Sequence, residues 1–153
     1  KVEEIEQQVI ENEAISSTRI RKAIAEGHIG RVNAYLDHHY IIMGDLYETK
    51  HPDIDEIKFA IEITEQEKLI PPDGRYAAKI IQDNNILYAM VEIISTKEQS
   101  QVFICTIDED EIINKNIKTT IQFYKKIRLI NESYQDFISK RIIDKEEIRE
   151  LIF

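Results

Sequence analysis

The sequence predicts a mainly β fold with flanking helices: six strands in an antiparallel sheet that closes into a barrel, N-terminal helices before it and a C-terminal helix after it. Three observations predict it. Hydrophobic spacing is helical up to residue 39 and switches to the two-residue period of strands from Tyr40. Six strand-like runs then follow with no helical pattern between them, which favours antiparallel pairing and closure over a parallel sheet. Helical spacing returns after residue 130.

Taken in order, Ser17–Glu26 carries Ile20, Ala23 and Ile24 on one helical face, with Gly27 placed to stop it. A second short helix fits Gly30–Asp37, with Val32, Tyr35 and Leu36 on one side. Tyr40–Glu48 and Ile57–Ile63 read as strands. Pro71-Pro72-Asp73-Gly74 is a strong turn signal before a strand at Arg75–Gln82. Asp83-Asn84-Asn85 joins that strand to Ile86–Ser95 as a hairpin. Both faces of Ile86–Ser95 are apolar, which predicts a central strand. Gln101–Ile107 is a further strand. Ile117–Ile130 alternates apolar and polar residues as a long, half-buried and bent strand should. Asn131 or Ser133 can cap a helix bearing Tyr134, Phe137, Ile138 and Arg141. Asp144 can cap a last one with Ile148, Leu151 and Ile152.

The 153 residues suit one domain, or one domain plus a piece of another, and such a length buries a core without disulfides or metal. The lone cysteine, Cys105, lies in an apolar run and can form neither an internal bridge nor a thiolate metal site, so a reducing, cytoplasmic location is expected. No apolar run reaches bilayer length, and the N-terminus has no signal-peptide core, so no membrane partner is expected. The net charge of −9, from 20 basic and 29 acidic residues, argues against a nucleic-acid partner while leaving room for a local phosphate pocket. Opening on Lys1 and in charged helical sequence, the chain reads as a fragment of a longer protein.

The strongest local signal is Ile15-Ser16-Ser17-Thr18-Arg19-Ile20-Arg21. Hydroxyls and backbone N–H groups at a helix start favour an anion, and arginines one turn on add forked, charged donors. By itself such a string is more often a plain N-cap with surface arginines. Its context is Ala14–Gly27, then Asn33-Ala34-Tyr35-Leu36, then Tyr40-Ile41-Ile42-Met43-Gly44, and further on Lys68-Leu69-Ile70-Pro71-Pro72-Asp73-Gly74-Arg75-Tyr76-Ala77. Together these segments resemble the C-terminal half of bacterial bifunctional riboflavin kinase/FAD synthetases. There an I-S-S-T-x-I-R helix ends the FMN adenylyltransferase domain and an L-L-P-P-D-G-V-Y-A turn lies in the kinase barrel.

The resemblance implies residues 1–39 as the helical tail of an adenylyltransferase domain and residues 40–153 as a riboflavin-kinase-like, six-stranded Greek-key barrel with its C-terminal helix. It implies Ser17, Thr18 and Arg21 as the groups that hold ATP phosphates during adenylyl transfer. It implies ATP, Mg²⁺ and riboflavin or FMN as family ligands, and an upstream adenylyltransferase domain as partner. The family's G-x-F-D-G-x-H-x-G-H segment is absent, and His28-Ile29-Gly30-Arg31 is only a helix-to-helix turn, so this chain alone is not expected to transfer an adenylyl group.

The barrel departs from the family where phosphoryl transfer needs a phosphate cradle, a metal bridge and a base. The stretch matching G-R-x-L-G-F-P-T-A-N is Asp45–Ile63. It has no glycine, no Thr–Asn pair for Mg²⁺, and acidic Asp53, Asp55, Glu56 and Glu62. Glu92-Ile93-Ile94 stands at the family's N-I-G, placing Glu92 at the Asn position. Aligned on Val102 and Asp108, Gln101 takes the catalytic glutamate's position, and an amide cannot accept a proton as a base. Loss of kinase chemistry is therefore expected, leaving a structural or flavin-binding module. A divergent kinase using Glu92 or Glu98, and a non-enzymatic interaction domain on the same scaffold, are the alternatives.

No metal site is expected. His38-His39 and His51 read as polar connectors, since adjacent histidines point apart and no carboxylate has ligand spacing to them. Asp108-Glu109-Asp110-Glu111 lacks the glycine and alternate spacing of a calcium loop and reads as a solvated turn. Of Tyr76, Tyr88, Phe103, Phe123 and Tyr124, most are expected in the core.

Overall fold

The computed structural model describes residues 17–51, 53–55, 57, 59–65, 68–96, 99–108, 114, 117–130 and 133–152, the last without its side chain. Helix α1 spans residues 17–25 and α2 spans Ile29–Leu36. Six strands follow: β1 (Tyr40–Glu48), β2 (Phe59–Ile63), β3 (Gly74–Gln82), β4 (Asn85–Ser95), β5 (Ser100–Thr106) and β6 (Lys118–Leu129). Helices α3 (Tyr134–Ser139) and α4 (Arg141–Ile152) end the chain.

The strands close in the order β1-β2-β5-β4-β3-β6, every neighbour antiparallel. β3, β4 and β5 form a meander, with β2 returning beside β5 and β6 beside β3. These are two overlapping Greek keys. The mainly-β, six-stranded barrel expected from the periodicity is the fold observed.

The pleat assigns the faces. Tyr40, Ile42, Leu46, Tyr76, Ala78, Ile80, Val91, Ile93, Val102, Ile104, Ile121 and Phe123 share the largest buried cluster, and Ala23, Ile24, Ile29 and Val32 of α1 and α2 join it. On the outer wall a second cluster holds Ile54, Ile57, Ala60 and Phe103, with Ile138 of α3 against it. A third joins Ala77, Met90 and Ile107 to Ile148 of α4. β4 is buried on both faces, as its composition predicts, because α4 covers its outer side.

Local chemistry explains the joints. α1 ends at Gly27, whose φ of 78° suits glycine. A Cβ on Gly44 would meet the Glu62 carbonyl oxygen at 2.2 Å, so β1 and β2 need glycine to approach this closely. β6 skips Tyr124 and Ile127 against β3, which bends it. The Pro71–Gly74 turn is pinned by Tyr76, whose hydroxyl donates to the Pro72 carbonyl at 2.6 Å, and by Asp73, which accepts from the Ser95 amide and hydroxyl at 2.9 and 2.6 Å.

Four expectations are corrected. β2 begins at Phe59, because Ile57 closes a turn by donating its amide to the Ile54 carbonyl at 3.3 Å. The hairpin loop is two residues, Asp83 and Asn84, since Asn85 pairs with Gln82. The C-terminal helical segment divides at Lys140, so Arg141 opens α4 instead of closing α3. Asp144 is not a cap: it lies in the first turn of α4, fully buried and ion-paired, while Ser133 caps α3 by accepting from the Asp136 amide at 3.2 Å.

Candidate functional site

Two charged regions lie on the barrel wall. The first is a cleft of about 520 Å³ lined by Tyr47, Glu62, Glu65, Lys68, Ser100 and Gln101, among others. The pleat builds it: Leu46, Ile61 and Val102 turn inward, so Tyr47, Glu62 and Gln101 turn outward from β1, β2 and β5. The structure thus brings together Gln101 and Glu62, which the sequence places 39 positions apart.

The electrostatics of this cleft disfavour polyphosphate. Glu62 is exposed, and Glu65 accepts from the Met43 amide at 3.2 Å. Lys68 holds its ammonium 4.7 Å from the centroid of the Tyr40 ring. Burial, with Glu62 adding to it, raises the Tyr47 hydroxyl above its ordinary pKa. Burial and the nearby Glu65 charge push Tyr40 up to about 12. The Glu62 and Glu65 charges that contribute to these shifts oppose placing more negative charge in the cleft. Gln101 can donate and accept hydrogen bonds but cannot take a proton.

The second region is a chain of ions sealed between the outer wall and the C-terminal helices. Arg75 on β3 gives one guanidinium nitrogen to Glu92 at 3.1 Å and the other to Asp144 at 2.6 Å and the Phe137 carbonyl at 3.1 Å. Arg141 donates to the second Glu92 oxygen at 2.9 Å. Arg128 forks onto Asp144 at 2.9 and 3.0 Å. Phe137 covers Arg75, its ring centroid 3.9 Å from the guanidinium carbon. Arg75, Glu92 and Asp144 are fully buried. Glu92 therefore has an arginine on each oxygen and, fully buried, presents no surface to a substrate hydroxyl.

Beyond β1, Glu48, Thr49, Lys50, His51, Ile54, Asp55 and Ile57 line a cavity of about 600 Å³. This is where the family resemblance would put the phosphate cradle. All four glycines of the chain lie elsewhere: Gly27 and Gly30 in the helical part, Gly44 inside β1 and Gly74 at the start of β3. The cavity's described lining residues bring two carboxylates and one ammonium. Neither this cavity nor the Gln101 cleft is lined, among the described residues, by a glycine or by an excess of positive charge, the features that would suit Mg²⁺–ATP. Among the described residues, no three His, Cys, Asp or Glu side chains gather as a metal-binding group.

Ser17, Thr18, Arg19 and Arg21 are exposed on the first turns of α1, and none lines the cleft of Gln101 and Glu62. His38 and His39 form the connector between α2 and β1. His51 does not behave as a connector: it is buried, its ring edge-on to Phe103 at 4.8 Å. Tyr76, Phe103 and Phe123 are core residues, whereas Tyr88 and Tyr124 are half-buried. Asp108 is exposed and Glu109–Glu111 lie outside the described residues, as does Glu98.

Sequence reasoning missed the ion chain. Its signal was a charge inside each of two apolar strands: pairing Gln82 with Asn85 sets Arg75 directly opposite Glu92. A loop read as three residues shifts that register by one and hides the pair.

No family model matches the chain, and no curated protein matches it. Among solved structures, the chain is similar to a crystal structure of a macrolide-efflux protein from Streptococcus pneumoniae, with a TM-score of 0.72 at 18% identity. The match covers 87% of this chain and 46% of that one, so the chain spans about half the length of that neighbour. A likeness at this identity shows the shared fold alone. Among the described residues, no helix is long and apolar enough to cross a membrane.

Proposed function

We propose that the chain is a relative of the riboflavin kinase/FAD synthetases whose barrel no longer transfers phosphate and serves as a structural or flavin-binding module beside an adenylyltransferase domain. The observation that carries this reading is the company of Gln101. A neutral amide faces a cleft bearing Glu62 and Glu65, with Lys68 as the one cation among its described lining residues. A kinase site needs the reverse balance: donors and metal for phosphate and a free carboxylate for the hydroxyl. Of the two alternative bases, Glu92 is held by Arg75 and Arg141, and Glu98 lies outside the described residues. In this reading Ser17, Thr18 and Arg21 belong to the adenylyltransferase half and bind ATP phosphates only with that domain present.

Incubating the protein with riboflavin, ATP and Mg²⁺ tests the reading. No FMN is expected, while riboflavin or FMN fluorescence should be quenched saturably on titration with protein. Appearance of FMN would overturn the proposal in favour of a divergent kinase. Flavin fluorescence that stays flat would instead leave the barrel as a scaffold for interaction.

A further inference from the structure

The segment after β1 is tied to the C-terminal helices through one imidazole. His51 accepts the Asp53 amide hydrogen at Nδ1, 3.1 Å away, so the ring proton sits on Nε2. Nε2 lies 3.4 Å from the hydroxyl of Tyr134, the first residue of α3, and that hydroxyl donates to an Asp53 carboxylate oxygen at 3.1 Å. Two apolar anchors, Ile54 and Ile57, sit beneath the segment against Ala60, Phe103 and Ile138. His51 and both anchors line the 600 Å³ cavity.

We propose that His51 is a proton-operated clasp: neutral, it holds Asp53 and Tyr134 of α3 together; protonated, it releases that contact. A proton on Nδ1 would set two donors face to face and break the contact with the Asp53 amide. The imidazolium would also be buried, since His51 is only 5% exposed. Among the described residues, its charged surroundings come from α4, β4 and its own segment. Arg141 of α4 repels the cation, whereas Glu92 of β4 and Asp53 attract it. Glu92 already carries two guanidinium partners. Tyr134 of α3 is neutral, its hydroxyl raised to about 12 by burial and Asp53. Glu48, Lys50 and Asp55 line the same cavity.

Burial outweighs the attracting carboxylates and lowers the His51 pKa below its ordinary 6.5. The open form, with a hydrated ring, therefore binds the proton more tightly. Closure is complete above pH 6.5 and is lost as pH falls below that value.

Amide hydrogen exchange followed by NMR, corrected for intrinsic rates, tests the clasp. Between about pH 7.5 and pH 5.5, protection of Asp53 and Ile57 should fall roughly tenfold, with Ile61 and Val91 unchanged. In H51N, whose side-chain oxygen can accept the Asp53 amide but does not titrate, the same amides should show no such fall. A titration of the wild-type imidazole should trace the same midpoint as the Asp53 amide shift. Unchanged Asp53 protection in the wild type, an equal loss in H51N, or an imidazole midpoint separate from the amide midpoint would each overturn the proposal. The wild-type titration decides the matter even where H51N fails to fold.

Discussion

The two charged regions of the barrel wall use the same side-chain types to opposite ends. In the ion chain, Glu92 and Asp144 are fully buried and each is held by two arginines. In the Gln101 cleft, Glu62 is exposed and Glu65 meets a backbone amide. The difference teaches how to tell a structural carboxylate from an available one. Desolvated charges persist only when paired with opposite charges, so a fully buried glutamate held by two arginines belongs to the fold. Solvated carboxylates cost the fold little and set what the cleft accepts.

Breaking the sealed region should have the largest effect. Glu92→Gln keeps the volume but removes the buried negative charge that Arg75 and Arg141 share, and should cost about 3–5 kcal/mol in urea unfolding. Glu62→Gln, in the open cleft, should stay within about 0.5 kcal/mol. Equal losses for the two variants would abolish the distinction between the regions.

The distinction was half legible in the sequence. β1 matched its expected bounds, Tyr40–Glu48, because alternation and the Gly44 position leave one register. Gln101 and Glu62 were marked by comparison with a family pattern, and the pleat then turned both to one cleft. The ion chain was harder to read because its geometry is non-local. Arg75 and Asp144 lie 69 positions apart, and their meeting depends on how α4 lies across β3 and β4. Hydrophobic period says that a helix has a buried face, not which strand it covers. Asp144 reads as a cap in the sequence because a short polar side chain near a helix start has that local use, and tertiary contact overrides it. His51 escaped for the same reason: nothing in its neighbours along the chain announces Phe103 or Tyr134.

A smaller effect should appear at alkaline pH at Tyr40, in the barrel core. Tyr40 donates its hydroxyl to the Leu69 carbonyl at 2.6 Å, and burial plus Glu65 hold its pKa near 12 against an ordinary 10. A folded-state value above the unfolded one means the hydroxyl's contribution is complete below pH 10 and is lost as pH rises towards 12. Tyr40→Phe should lower stability at neutral pH by about 1 kcal/mol, the loss of one buried hydrogen bond. It should also flatten the decline between pH 10 and 12 seen in unfolding curves, and an unaltered decline would place its source elsewhere.

The smallest effect on stability, and the sharpest test of the cleft, belongs to Gln101→Glu. The side chain is half-buried and faces solvent-accessible space, so the fold should shift by no more than about 0.5 kcal/mol. The change supplies the carboxylate that a phosphoryl-transfer base requires. Yet it adds a third negative charge beside Glu62 and Glu65, and it creates neither a cradle nor a metal seat. Riboflavin with ATP and Mg²⁺ should therefore still yield no FMN. Were FMN to form in this variant alone, the base would be the sole missing part, and the glycine-free segment after β1 would have to be accepted as able to hold a triphosphate.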